Sequence, residues 1–434
     1  MIKIVKFIFI LGLLFFSLPA LARIYIPIDQ PSDQKFPIAI CNLNGPSSMT
    51  KTVADVIRND LDLSGYFKII SPEIFKDVSK TEGLSPDSIR FSFWTALETQ
   101  GLVKGSINKD DDNYVVDLRL YDPYLESMLV GKEYTFPKKE MKSALREIAH
   151  RFSDEIMEAL TGIHGIFNTK IAYTAVTGKG KKEIFIMDMD GENVSQVTNL
   201  KSISLSPTWS PDGGYLAFTS YARGNPDLYK IQTNGKGLKQ LVGGQGSKIT
   251  PSWSPNGQFL AFSGAIKDGD AELYTMAMPS EKKVHRLTKA DAIDIAPTWS
   301  PGSNQIAFAS ERLGNLHLFK MNANGGAIQR LTFVGYQNDM PNWSPKGDKI
   351  AFAGRDMGTF DIFIMNPDGS NIQRLTIASG SNEHPAWSPD GRFITFSSTR
   401  DGGNAIYIMR ADGSNQRRVS KGNGILPEWG PRVK

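Results

Sequence analysis

The 434-residue chain is poor in the residues that most often carry chemistry. It has one cysteine, five histidines and almost no excess of either charge, with 49 Lys plus Arg against 45 Asp plus Glu and a formal net of +4. A single thiol can close no intramolecular disulfide and cannot build a cysteine-rich zinc site. The near-neutral balance excludes the strongly basic domain of a dedicated nucleic-acid binder. After residue 22 no apolar run is long enough to cross a bilayer as a helix. The histidines (150, 164, 285, 317 and 384) are scattered, with no H-E-x-x-H pair, and no G-x-S-x-G pentapeptide occurs. Gly243-Gly244 and Gly402-Gly403 sit in loops and open no helix after a strand, as a phosphate-binding turn would. Together these gaps point to a protein without catalytic apparatus, metal or cofactor.

What the chain does contain is concentrated. Lys3 and Lys6 precede an apolar run from Phe7 to Phe16, and Ala20-Leu21-Ala22 follows Pro19. That is the pattern of a secretory signal peptide cleaved after Ala22. The run falls short of the roughly 20 residues needed to span a membrane, so residues 1–22 read as an export address and the product as a protein beyond the inner membrane. From residue 23 to 163 there are 17 basic and 22 acidic residues, a net of −5, and from 164 onward 30 and 23, a net of +7. The two halves should attract each other only weakly.

Residues 23–163 mix helical and strand periods, as an α/β domain does. IYIPI (24–28), PIAICNL (37–43), YFKII (66–70), LVKGSI (102–107), YVVDLRLY (114–121) and a segment near 128–136 read as strands. Val53, Val56, Ile57 and Leu61 place a helix over 48–63, stopped by Ser64-Gly65. A short helix is predicted at 94–99 and a long one at 138–160, with Met141, Leu145, Ile148, Phe152, Ile156 and Leu160 as its apolar stripe and Gly162 as its C-cap. His150 falls on the polar side of that helix and reads as a surface or packed histidine. Asp110 to Asp112 lacks the glycine and distal glutamate of a calcium loop and reads as a hairpin turn.

From about residue 166 the chain repeats. PTWSPDG (207–213), PSWSPNG (251–257), PTWSPGS (297–303), PNWSPKG (341–347), PAWSPDG (385–391) and a worn PEWGPRV (427–433) alternate with strands such as YLAFTSY (215–221) and with strand-turn-strand units such as DIFIMNPDGSNIQRLT (361–376). A unit of roughly 40 to 50 residues with four short strands is a propeller blade. We name its strands A, at the tryptophan, then B, C and D. The array begins on a B strand at Lys170 and ends on an A strand at Trp429. Six blades are therefore expected, with the last A strand completing the first sheet, so that closure removes the open edge of a linear array. Proline two residues before each tryptophan loses no ladder bond if strand A lines the channel, and the tryptophans then wedge between blades. Residues 164–434 are thus assigned to a six-bladed β-propeller.

Signal peptide, small α/β domain and a propeller of P-x-W-S-P-D-G repeats, with the start RIYIPIDQPSDQKFPIAI, resemble the TolB family of the Tol-Pal envelope system. The resemblance implies a monomeric, periplasmic, non-enzymatic protein that links the outer-membrane lipoprotein Pal to the inner-membrane protein TolA. It would associate with the outer membrane only peripherally, through Pal, and support membrane integrity and envelope invagination at cell division. It further implies that the mature N-terminus, Arg23, Ile24, Tyr25, Ile26, Pro27, Ile28 and Asp29, engages TolA, with Arg23 standing where the family start is acidic. Pal would bind the propeller mouth, at the variable loops before each A strand: Ser206, Ser247, Thr250, Ile295, Ala296, Asp339, Met340, Glu383 and His384. A second reading is a periplasmic propeller that binds or cleaves a saccharide or peptide in its channel.

Overall fold

The computed structural model describes residues 35–432, apart from 267, 268, 279, 281, 282 and 357. The segment 23–29 lies outside them. The α/β region is built on a five-stranded sheet: β1 (Phe36–Ile40), β2 (Phe67–Ile69), β3 (Gly101–Asp110), β4 (Asn113–Asp122) and β5 (Ser127–Pro137), in the order β2-β1-β3-β4-β5. β1 runs parallel to both neighbours, and β3 to β5 form an antiparallel meander. Asp111, with φ 44°, makes the tight turn expected at 110–112.

One face of this sheet carries α1 (Ser47–Ser64) and the last helix of the region; the other carries α2 (Lys76–Thr81) and α3 (Phe91–Ala96). Ile38 and Ile40 of β1 point to the first face and Ala39 and Cys41 to the second, the two-residue alternation of a strand covered on both sides. α3 starts three residues earlier than the sequence predicts, because Phe91 and Trp94 turn inward together onto Tyr121 and Phe75. α2 has no counterpart among the expected elements; its six residues are too few for a helical period to show.

α4 spans Met141–Thr161, preceded by a 3₁₀ turn at Lys138–Glu140 where the long helix was expected to begin. Met141 is exposed rather than part of the stripe, whereas Leu145, Ile148, Ala149, Phe152, Ile156, Met157 and Leu160 are buried. His150 is buried as well, at 1% exposure, and does not lie on a solvated face. A second surface, the propeller, covers the side of α4 that the helical pattern alone leaves polar. Gly162 closes the helix at φ 72°, its N–H donating to the Glu158 carbonyl.

Six four-stranded antiparallel sheets follow. In blade one, β6 (Lys170–Gly178), β7 (Lys181–Asp188) and β8 (Ser195–Gln196) are joined by the C-terminal strand Ile425–Trp429, which pairs Trp429 with Ile171, Glu428 with Ala172 and Ile425 with Thr174. The ring closes as the repeat count requires. The remaining A strands are Ser204–Trp209, Ser247–Trp253, Asp294–Trp299, Gln337–Trp343 and Asn382–Trp387.

Each tryptophan packs against the preceding blade. Trp299 joins Ala261 and Leu273, Trp343 joins Ala307 and Leu318, Trp387 joins Ala351 and Ile362, and Trp429 joins Phe393 and Ile406. The indole N–H groups of Trp209, Trp299 and Trp387 each donate at 3.1 Å to the A-strand carbonyl of that blade, at Glu428, Ser252 and Asn342. A buried aromatic with its polar tip satisfied holds neighbouring blades at a fixed spacing.

Candidate functional site

The residues expected as mouth loops are strand residues. Ser206, Ser247, Thr250, Ile295, Ala296, Asp339, Met340, Glu383 and His384 all lie in the first halves of their A strands. Pairing with strand B slips between residues such as Ile295 and Thr298 in each of these blades. At each slip the residue before the proline is left-handed: Ser206, Thr250, Ala296, Met340, His384 and Leu426 have φ between 49° and 57°. This is an uncommon conformation for non-glycine residues and one that a following proline disfavours, so each is a small reservoir of strain held by the ring. The slip ends pairing in mid-strand and turns six pre-proline side chains and six prolines toward one channel of about 110 Å³. Sequence spacing locates these positions but not the bulge, because the bulge arises from strand pairing.

The channel is uneven. In the ring beyond the prolines stand Thr208, Ser252, Thr298, Asn342 and a carboxylate, Glu428. Enclosure by the channel wall pushes the Glu428 carboxyl up to about 8. Burial raises Asp339 to about 6 against the Met340 N–H it accepts, and Glu383 on the next blade adds to the rise. Burial also pushes the His384 imidazole down, although Glu383 opposes this, and its Nδ1 lies 3.1 Å from Ser397 Oγ. Thr250 makes the matching contact with Ser263 Oγ at 2.8 Å. The channel thus combines titratable groups in blades one, five and six with neutral ones in blades two to four.

The α/β region meets the ring at the opposite end. The strand order puts the A–B and C–D turns at one end and the strand-A starts at the other. The contacts fall on the turn end of blades one and six: Arg410 and Asn415 donate to the Ser64 and Leu63 carbonyls at the C-terminus of α1, Arg417 pairs with Asp62 at 2.6 Å, and Arg146 pairs with Asp190. A Cβ on Gly65, at φ 77°, would sit 0.7 Å from the Arg410 guanidinium, so any other residue would be strained in this left-handed position and would displace that arginine from the seam. One apolar core runs through the seam, from Phe152 and Ile156 of α4 to Met187, Ile406 and Trp429. The weak attraction expected from net charge understates this junction, which rests on specific pairs.

A cleft of about 880 Å³ flanks the seam, lined by residues including Arg146, His150, Lys170, Asp188 and Glu192. Behind its wall, where His150 reaches the cleft, one polar side-chain atom from each of Asp60, His150 and Asp190 lies within 4.8 Å of the other two. The propeller carboxylates are already taken. Arg146 and the Glu192 N–H engage Asp190, and Lys170 and Asn193 engage Asp188. The cluster is an ionic network across the seam that leaves no mark in the sequence, because its members lie up to 130 residues apart and each looks ordinary in its own element.

The family description "TolB beta propeller domain" matches residues 157–433, and "TolB amino-terminal domain" matches 24–128. The Tol-Pal system protein TolB of Desulfosudis oleivorans is 36% identical over 314 residues, covering 71% of this chain and 60% of that protein. The protein TolB homolog of Chlorobium chlorochromatii is 37% identical over 265 residues, covering 61% and 58%. Both matches span less than two thirds of the relative's own length. The crystal structure of TolB from Acinetobacter baumannii superposes with a TM-score of 0.79 at 27% identity, over 92% of this chain and 98% of that one. With both component regions matched in order and the same six-bladed ring, the chain belongs to the TolB family of the Tol-Pal system.

Proposed function

We propose that this chain is a non-enzymatic, periplasmic, monomeric adaptor of the Tol-Pal system, binding Pal at the propeller mouth and TolA through Arg23–Asp29. In this reading residues 1–22 are removed on export, 23–163 form the α/β domain and 164–434 the ring. Through the two partners it links outer and inner membranes, maintains outer-membrane integrity and serves envelope invagination during division. The observation that carries the reading is the polarity of the molecule. The α/β region packs on the turn end of blades one and six, and the strand-A starts at the opposite end form a bulged, partly charged mouth. A rigid scaffold presenting side chains from six strands to one opening is suited to a protein ligand.

The test is calorimetric titration of Pal into Thr250→Glu and His384→Glu. Affinity should fall at least about tenfold in each, with thermal stability monitored to exclude misfolding. Unchanged affinity in both would move the Pal site off this face. Removing residues 23–29 should abolish TolA capture while leaving Pal binding intact, and retention of TolA would end the N-terminal assignment.

A further inference from the structure

The seam network has a charge count that its fixed ions do not satisfy. Asp60 on α1, Asp188 at the end of β7 and Asp190 in the turn after it supply three carboxylates, all with side chains under a tenth exposed. Arg146 and Lys170 supply two fixed cations. His150 is the third basic group. Its Nδ1 lies 2.8 Å from Asp60 Oδ2, and its Nε2 faces Asp190 Oδ2 at 3.8 Å and Asp188 Oδ2 at 4.0 Å across the seam, with no hydrogen-bond partner. Asp154, also on α4, is occupied by the Phe167 and Asn168 N–H groups.

We propose that His150 is a proton-operated latch: as an imidazolium it ties Asp60 of the α/β region to Asp188 and Asp190 of blade one, and loss of its proton releases the two parts from each other. A neutral imidazole would take the one counter-charge from Asp60, whose carboxyl burial already pushes up, and leave Asp188 and Asp190 beside it with only two cations, at high cost across the seam. Parting α4 from blade one moves Asp188 and Asp190 away from the ring nitrogen and admits water to all three. Burial by itself pushes His150 down, but the charge and hydrogen bond of Asp60, then Asp190 and Asp188, outweigh it and hold the group up at about 9. The Asp154 carboxyl is itself raised to about 7, by burial, which keeps it from adding a full further negative charge at neutral pH. The sign follows from the raised value. The latch is fully closed below the ordinary histidine pKa of roughly 6.5 and weakens as pH rises through 9.

The test combines two readings on the full mature chain. Histidine-labelled NMR, with His150 assigned from its absence in His150→Gln, should show a titration near 9 that falls by about one unit or more in Asp190→Asn. Hydrogen exchange of the peptides covering 188–193 and 410–417, corrected for intrinsic rates, should lose about tenfold or more of its protection between pH 6.5 and 9.5 in the wild type. In His150→Gln, which keeps a donor to Asp60, protection should be low and independent of pH. Should that variant not fold, Asp190→Asn must shift the exchange midpoint together with the NMR midpoint. A His150 titration at or below 6.5, or seam protection that stays flat while His150 titrates, overturns the latch.

Discussion

The α/β region and the propeller are held together by different economies of contact. The ring repeats one device: a tryptophan from each A strand fills the gap to the preceding blade, and its neighbours do the same in turn. The α/β region has single-copy solutions, such as Trp94, whose indole N–H is accepted by the buried Glu82 carboxylate that also pairs with Lys104 at 2.9 Å. Repetition makes the ring legible and tolerant of local change, provided the circle stays closed. Single-copy packing has no such redundancy, and its polar groups are fixed by partners distant in sequence.

That contrast can be broken at its strongest point first. Truncation before Ile425 removes the closing strand, exposes the β6 edge and leaves Trp209 without its Glu428 carbonyl. We expect loss of the cooperative thermal transition in circular dichroism, and a truncated chain that melts like the full one would show that closure is dispensable. Next, Trp299→Ala should cost about 3–5 kcal/mol by calorimetry, since its ring fills the gap between blades three and four. An unchanged transition would refute the wedge.

A third experiment turns on sign. Glu428 has its folded pKa raised to about 8 by enclosure, so the folded state resists ionising it. Below its ordinary pKa both states carry the proton and nothing is lost; as pH climbs toward 8 and beyond, the penalty grows. Glu428→Gln should therefore leave Tm unchanged at pH 4 and raise it at pH 8.5, and equal Tm at both would mean the carboxylate is solvated. The smallest effect belongs to the half-exposed pair Arg417–Asp62, with side chains 37% and 44% exposed. Arg417→Ala should change stability by about 1 kcal/mol or less, whereas a larger loss would make that pair, rather than the buried network at Asp190, the main tie between the two parts.

The mouth was legible in part. Positions 206, 250, 296, 340 and 384 stand out in the sequence because they vary beside an invariant proline, and all five line the channel. Glu428 does not stand out in the sequence, since its repeat is worn and its carboxylate looks like any surface glutamate until the ring encloses it. The sequence leaves His150 open between surface and packed for a related reason, and the structure buries it. Helical periodicity sorts residues by one covered face, and α4 has two, the second supplied by a blade beginning some twenty residues later.

By itself the sequence determined the number of blades, the strand that closes them and the glycine-capped ends of the two long helices. These follow from local chemistry: tryptophan and proline at fixed spacing, glycine where the backbone must turn left-handed, and an array that starts on strand B and stops on strand A. Only the tertiary structure decided the slip at each pre-proline residue, the end of the ring that the α/β region covers, and the company of Asp60, His150, Asp188 and Asp190. Those depend on pairing between strands and on burial of charges brought together from distant segments, and neither leaves a period in the chain.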